Sequence, residues 1–322
     1  SCVALSRRLA ANINGAAVIN PVNLVATALL STSRQTIDRN RLLHQLTLLR
    51  NLVSGVPGYG ETIVTSMEPA AMVEEAVRVA GIEHVEQPFG DIIMSSPSLT
   101  VLLTWYRNNT AHMFAIPSLL ARIVRAEGRV SLNVAGAACE TLYPYFQSEF
   151  FMKWHRGDLA AAVHFYVDRL ATLGLLTMEG KDLVAPEPAS EQFASLSDLG
   201  EIIEPTLERF YVVTSLLTRR TNSNIKDVEN DAATIARQMS SIFSINSPEF
   251  FERSLFSTLI GSLRANGVVE TREHSIWLHE GKLESILHTA ESTLSPNVRY
   301  NVLQAIERTS APQTRPSDSH AP

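Results

Sequence analysis

Residues 159–186 read LAAAVHFYVDRLATLGLLTMEGKDLVAP. Val163, Val167, Leu170 and Leu173 recur at helical spacing, so the stretch opens as an amphipathic helix. The period then changes. Leu175-Leu176-Thr177-Met178 and Leu183-Val184-Ala185 are short apolar runs on either side of the polar turn Glu179-Gly180-Lys181-Asp182, the pattern of a β-hairpin. Residues 250–278 repeat the plan more loosely: Leu255, Leu259 and Leu263 mark a helix, Gly267 its end, and Val268-Val269-Glu270 with Ile276-Trp277-Leu278 a second hairpin.

Working outward, the remaining chain reads as helix after helix. Leu42, Leu46, Leu49 and Val53 share one face of a helix that Gly55 and Pro57 end, and Pro69 opens another that Gly81 closes. A connecting loop runs from Gly55 to Met67. A short apolar strand or turn spans Asp91 to Ile93. Ser95-Ser96-Pro97 reads as an N-cap with proline in the first turn, and Leu99, Leu102, Leu103 and Tyr106 form the apolar face of the helix it starts. Pro117-Ser118 reads as a second start, before Leu119, Leu120, Ile123 and Val124. The fold class is therefore mostly α, a helical domain with small β-hairpin, winged-helix-like elements.

Composition bounds the partners. Hydrophobic residues are 45% and charged residues 19% of the chain, as in a globular protein. A net charge of -6 gives no pull toward nucleic acid, and the helix from Asp158 to Leu173 offers only Arg169, so no nucleic-acid partner is expected. Cys2 and Cys139 are too few for a disulfide framework, and Cys139 reads as a small buried apolar residue. The uncharged run from Leu9 to Ser33 is interrupted by Asn12, Asn14, Asn20, Pro21 and Asn23, so it is expected as a buried helix pair or a surface-lying segment, with membrane contact peripheral. The start at Ser1-Cys2, without methionine, reads as a piece of a longer protein. Tyr143, Tyr145, Phe146, Phe150, Phe151 and Trp154 read as a core stripe, the other reading being a membrane-facing patch beside Lys153 and Arg156.

Further stretches come in a recognisable order: AAVINPVNL (16–24), LTLLRN (46–51), GDII (90–93), YRNN (106–109) with His112, LYP (142–144), EFF (149–151) with Trp154, and INSPEFF (245–251) with Phe256-Ser257. This series resembles the C-terminal region of the bacterial membrane-bound glycerol-3-phosphate acyltransferases. The loop between Asn51 and Glu61 departs from that pattern by carrying Gly55, Gly58 and Gly60. The family's active-site elements, a His-Arg-Ser-x-x-Asp motif above all, do not occur here. His155 with Asp158 and His164 with Asp168 have the wrong spacing for a base and its orienting carboxylate. His274 and His279 lack metal-ligand spacing, and neither a glycine-rich phosphate loop nor a Gly-x-Ser-x-Gly elbow is present. No metal, cofactor or catalytic residue is expected in this chain.

The chain is expected in four parts: by the resemblance, residues 1–58 as helices following an acyltransferase domain and 59–157 as a helical region carrying the YRNN-x-x-H cluster; by periodicity, 158–309 as a helical region with two helix-plus-hairpin units; and by its Pro, Ser, Thr and Ala composition, 310–322 as a disordered tail. The resemblance implies an enzyme that moves an acyl group from acyl-CoA or acyl-carrier protein to glycerol 3-phosphate, the first step of phospholipid synthesis. Its expected place is the cytoplasmic face of the inner membrane, peripherally bound to the phospholipid surface. Arg107, Asn108, Asn109 and His112 are the candidate cluster for docking that domain or meeting an anionic substrate, against a plain helix-end network. Asn20 and Pro21 are read as a bend near the acyl site, against a simple helix start. The alternative is a non-catalytic protein-interaction module with winged-helix-like units.

Overall fold

A computed structural model describes residues 2–219, 224–243, 252–272 and 275–310. Helices α1 (Cys2–Gly15), α2 (Pro21–Leu30), α3 (Arg39–Val53), α4 (Pro69–Ala80), α5 (Pro97–Asn108), α6 (Ala111–Glu127) and α7 (Leu132–Phe150) form the first half. The second half holds α8 (Leu159–Thr172), α9 (Glu191–Glu201), α10 (Glu204–Arg219), α11 (Ile225–Phe243), α12 (Arg253–Ala265), α13 (Glu280–Thr293) and α14 (Pro296–Ser310). The fold is mostly helical, and its buried side chains form one continuous cluster from Ile19 to Ile306.

Local chemistry sets most helix starts. The Ser96 hydroxyl accepts the Leu99 N–H at 3.4 Å ahead of Pro97 at N1, and the Ser131 and Ser190 hydroxyls do the same for α7 and α9. Pro69 opens α4, and Gly81 closes it at φ 74°, a left-handed conformation that only glycine adopts without strain.

The strands are short. β1 (Val18–Ile19) pairs in parallel with β3 (Ile63–Val64), and β5 (Ile92–Met94) lies between β2 (Thr36–Asp38) and β4 (Glu83–Val85). Both hairpins are formed: β7 (Thr177–Glu179) with β8 (Asp182–Val184), and β9 (Val269–Arg272) with β10 (Ser275–Leu278). The first gains a strand from far upstream, because β6 (Arg129–Ser131) pairs with β8 and sets Val130 opposite Leu183.

Two expectations are corrected. Pro117 does not start a helix but lies inside α6. A proline there withholds the N–H that the Met113 carbonyl would accept, and the Tyr166 hydroxyl supplies the missing bond at 2.8 Å. On α5 the buried face is narrower than expected: Leu103 is fully buried and Leu99 and Tyr106 are half-buried, while Leu102 is 46% exposed. The aromatic stripe is core at Tyr143, Tyr145, Phe146 and Trp154, while Phe150 is half-buried and Phe151 exposed. Cys139 is buried, which pushes its thiol up to about 12. The INSPEFF stretch, His274 and residues 311–322 lie outside the described residues.

Candidate functional site

The candidate cluster sits where the end of α5 meets the start of α2. Asn20 and Asn23 cap α2 reciprocally, each side-chain oxygen accepting the other's backbone N–H at 2.9 Å, with Pro21 at N1. Asn20 and Pro21 thus form a helix start. Asn23, 1% exposed, also donates its side-chain N–H to the Tyr106 carbonyl at 2.8 Å. One amide therefore closes the cap and tethers α5 beside Arg107. Thr110 completes the joint, donating its backbone N–H and its hydroxyl to the Arg107 carbonyl at 2.9 and 3.0 Å.

From this joint Arg107 and Asn108 face a cleft of about 330 Å³. The Arg107 guanidinium donates to Asn108 Oδ1 at 3.2 Å. The opposite wall belongs to α7 and α10, where Arg209 and Glu149 form an ion pair with both side chains nearly buried. The Thr206 hydroxyl donates to the same Glu149 oxygen at 2.9 Å. Phe150, Ile202, Ile203 and Leu255 supply apolar surface between the polar walls. Glu252 also lines the cleft, so two arginines and two carboxylates share it.

The four cluster residues are not brought together. Asn109 is the exposed C-cap of α5, and His112 turns the other way, into the core, 1% exposed with its ring centroid 5.4 Å from that of Tyr59. Neither imidazole nitrogen has a hydrogen-bond partner. Burial pulls the ring down to about 4, offset only in part by the nearby Asn14 backbone, so it is neutral at pH 7. His164 spends Nδ1 on the Ala160 carbonyl at 2.7 Å, not on Asp168. Among the described residues no group of three or more histidines, cysteines or carboxylates is placed to hold a metal.

A second charged centre escapes the spacing rules used above. Arg122 on α6 is fully buried and donates to the Thr293 and Gly200 carbonyls at 2.7 and 3.2 Å, to Glu204 at 2.9 Å and to Glu201 at 3.4 Å. Arg125 reaches Glu201 at 2.7 Å. Burial pushes Glu204 up to about 7 and Glu208 up to about 8, with the Glu204 charge adding to the effect at Glu208. Burial also acts on Glu201, yet its bond with Glu204 and the two arginines hold it below the usual carboxylate range. A β-carbon at Gly200 would come within 2.8 Å of Arg122 Cγ, so this crossing requires glycine. The signal was present in the sequence: Arg122 interrupts the apolar run LLARIV (119–124), and Glu208-Arg209 interrupt TLERFYVV (206–213).

The sequence model of the glycerol-3-phosphate acyltransferase C-terminal region matches residues 2–272. The glycerol-3-phosphate acyltransferase of Pseudomonas entomophila (strain L48) is 33% identical over 315 residues, covering 97% of this chain and 38% of that protein. Those of Pseudomonas putida (strain GB-1) and Ectopseudomonas mendocina (strain ymp) are each 34% identical, over 93% and 94% of this chain and 37% of their own lengths. The chain spans less than two fifths of the length of these relatives. With a match this long, it belongs to the family of glycerol-3-phosphate acyltransferase C-terminal regions.

Proposed function

We propose that this chain is the C-terminal helical part of a glycerol-3-phosphate 1-O-acyltransferase. The whole enzyme would transfer a fatty acyl group from acyl-CoA or acyl-carrier protein to the sn-1 hydroxyl of glycerol 3-phosphate, the first step of phospholipid synthesis. The family match over residues 2–272 carries this reading. The chain's own role is structural. Acyl transfer to a hydroxyl needs a base oriented by a second group, and His112 is neutral, buried and without such a partner. The Arg107–Asn108 cleft is instead where the catalytic part docks, held stiff by Asn23 and Thr110 behind it.

The enzyme works at the cytoplasmic face of the membrane, bound peripherally. Leu5, Leu9 and Ile13 on one face of α1 are 60%, 54% and 70% exposed, which supports contact with a phospholipid surface. No described helix is long and apolar enough to cross a membrane.

Activity and limited proteolysis on the same samples test the docking role. Arg107→Ala in the full-length enzyme is expected to lower acylation of glycerol 3-phosphate roughly tenfold or more and to expose new cleavage sites, with helix content unchanged. Arg107→Lys restores activity only in part, because an ammonium keeps the charge and loses the planar fork. This chain alone is expected to stay at background. Unchanged activity and cleavage in Arg107→Ala would refute the docking role, and turnover by the chain alone would refute the division of labour.

A further inference from the structure

Behind α7 a short strip of chain presents two basic side chains outward. The chain leaves the helix through Phe151, whose backbone lies in the left-handed region at φ 49°. A bulky residue adopts that conformation only where its surroundings impose it. The next residues alternate. Met152 and Trp154 are buried, Lys153 is half-buried and His155 exposed. The strip is pinned by hydrogen bonds: the Tyr59 hydroxyl accepts the Lys153 N–H at 3.0 Å, and the Trp154 indole donates to the Pro57 carbonyl at 2.7 Å. The Tyr143 hydroxyl and the Gln147 amide donate to the Trp154 carbonyl at 2.6 and 2.9 Å. With the inner members locked, the outer ones are held in place with little backbone freedom.

Lys153 and His155 line a cavity of about 700 Å³, and Arg8 of α1 joins them. The remaining polar lining is neutral, and no described acidic side chain takes part, in a chain with 33 acidic residues against 27 lysines and arginines. An adjoining cavity of about 400 Å³ shares Pro144 and Asn266 with the first and repeats the pattern, with Arg156, His279 and Lys282 and, among the described residues, no carboxylate. Helix capping accounts for part of this. Lys282 donates to the Asn266 and Gly267 carbonyls at 3.1 and 3.4 Å at the end of α12. Lys153 lies over the end of α1, where a β-carbon at Gly15 would sit 2.9 Å from its Nζ. Capping explains neither Arg8, His155 and Arg156 nor the exclusion of carboxylates. Arg8 and Lys153 share one cavity with no described counter-charge, and a bound anion offsets their repulsion.

We propose that this double cavity binds a phosphate-bearing anion, its phosphate held among Arg8, Lys153 and His155. The larger cavity exceeds what a bare phosphate needs, and Phe151 and Met152 give it an apolar wall, so the ligand is a phosphate ester rather than inorganic phosphate. Arg8 shares α1 with the exposed apolar residues Leu5, Leu9 and Ile13, so the ester is either a free molecule or the headgroup of an anionic lipid.

Calorimetric titration of the chain with phenyl phosphate covers the free ester, and co-sedimentation with phosphatidylglycerol or phosphatidylcholine vesicles covers the lipid. Saturable binding in either arm is expected to weaken roughly tenfold or more in both Arg8→Glu and Lys153→Ala. It should not change in Arg129→Ala, a residue ion-paired with Glu179 and Asp182 on the first hairpin. Binding of phenyl phosphate identifies a free ester, and binding confined to phosphatidylglycerol vesicles identifies a headgroup. Arg8 is exposed, so an unchanged melting temperature in Arg8→Glu separates lost ligand from lost fold. No saturable binding in either arm, or binding indifferent to both substitutions, overturns the site. No acyl donor is present in these measurements, so their failure leaves the acyltransferase reading untouched.

Discussion

Glu208 is 4% exposed, and its Oε2 has no hydrogen-bond partner. Its carboxyl is pushed up from 4.5 to about 8, so the folded state keeps a proton that the unfolded chain releases. The stability this gives is fully present below pH 4.5 and is lost as pH rises through 8. Glu208→Gln keeps the shape without the charge, and it should remove most of that decline, leaving the variant up to about 4 kcal/mol more stable than the parent at pH 9. Urea unfolding between pH 5 and 9 measures the two slopes, and parallel slopes would mean that the carboxyl is solvated. His112 acts in the opposite direction. Its ring is pulled from 6.5 to about 4, so stability is full above pH 6.5 and falls as pH drops toward 4, by about 3 kcal/mol. His112→Phe keeps a ring against Tyr59 and should flatten that acid decline, read from the same unfolding series at pH 7, 5.5 and 4.5. An unaltered acid slope would place the imidazole in contact with water.

The helical faces read from spacing make their own prediction. Leu170 on α8 is fully buried and Leu259 on α12 is 6% exposed, whereas Asp158 and Asp168 are exposed. Leu170→Asp or Leu259→Asp buries an unpaired carboxylate and should cost several kcal/mol, about 3–5, a large share of a domain's margin. Asp158→Asn and Asp168→Asn should each change stability by less than about 0.5 kcal/mol. Chemical denaturation of the four variants checks this, and equal midpoints would show the faces misassigned. Elements whose punctuation is local were legible in this way: Ser96-Pro97 starts α5, Pro69 and Gly81 bound α4, and Glu179-Gly180-Lys181-Asp182 turns the first hairpin. Pro117 misled for a physical reason. Proline stops a helix when the carbonyl one turn back goes unsatisfied, and here Tyr166, from α8, satisfies it.

Across the whole molecule, the mostly helical class, both hairpins and the shared apolar face of Leu42, Leu46, Leu49 and Val53 could be read from the chain. Each depends on propensity, period or capping within a few residues, and those forces act before distant parts of the chain meet. The candidate site was legible only in pieces. Arg107 and Asn108 were singled out, but spacing could not show that Arg209 and Glu149 would form the opposite wall, nor that His112, four residues after Asn108, would turn into the core. The sequence by itself determined the helical class, the two hairpins and the apolar faces of α3, α8 and α12. Tertiary structure alone decided the strand that β6 adds to the hairpin, the charges gathered around Arg122 and the cavity that Arg8 and Lys153 line together. These join residues far apart in the chain, and the free energy of a buried charge or an unpaired strand edge is fixed by whatever packing places opposite it.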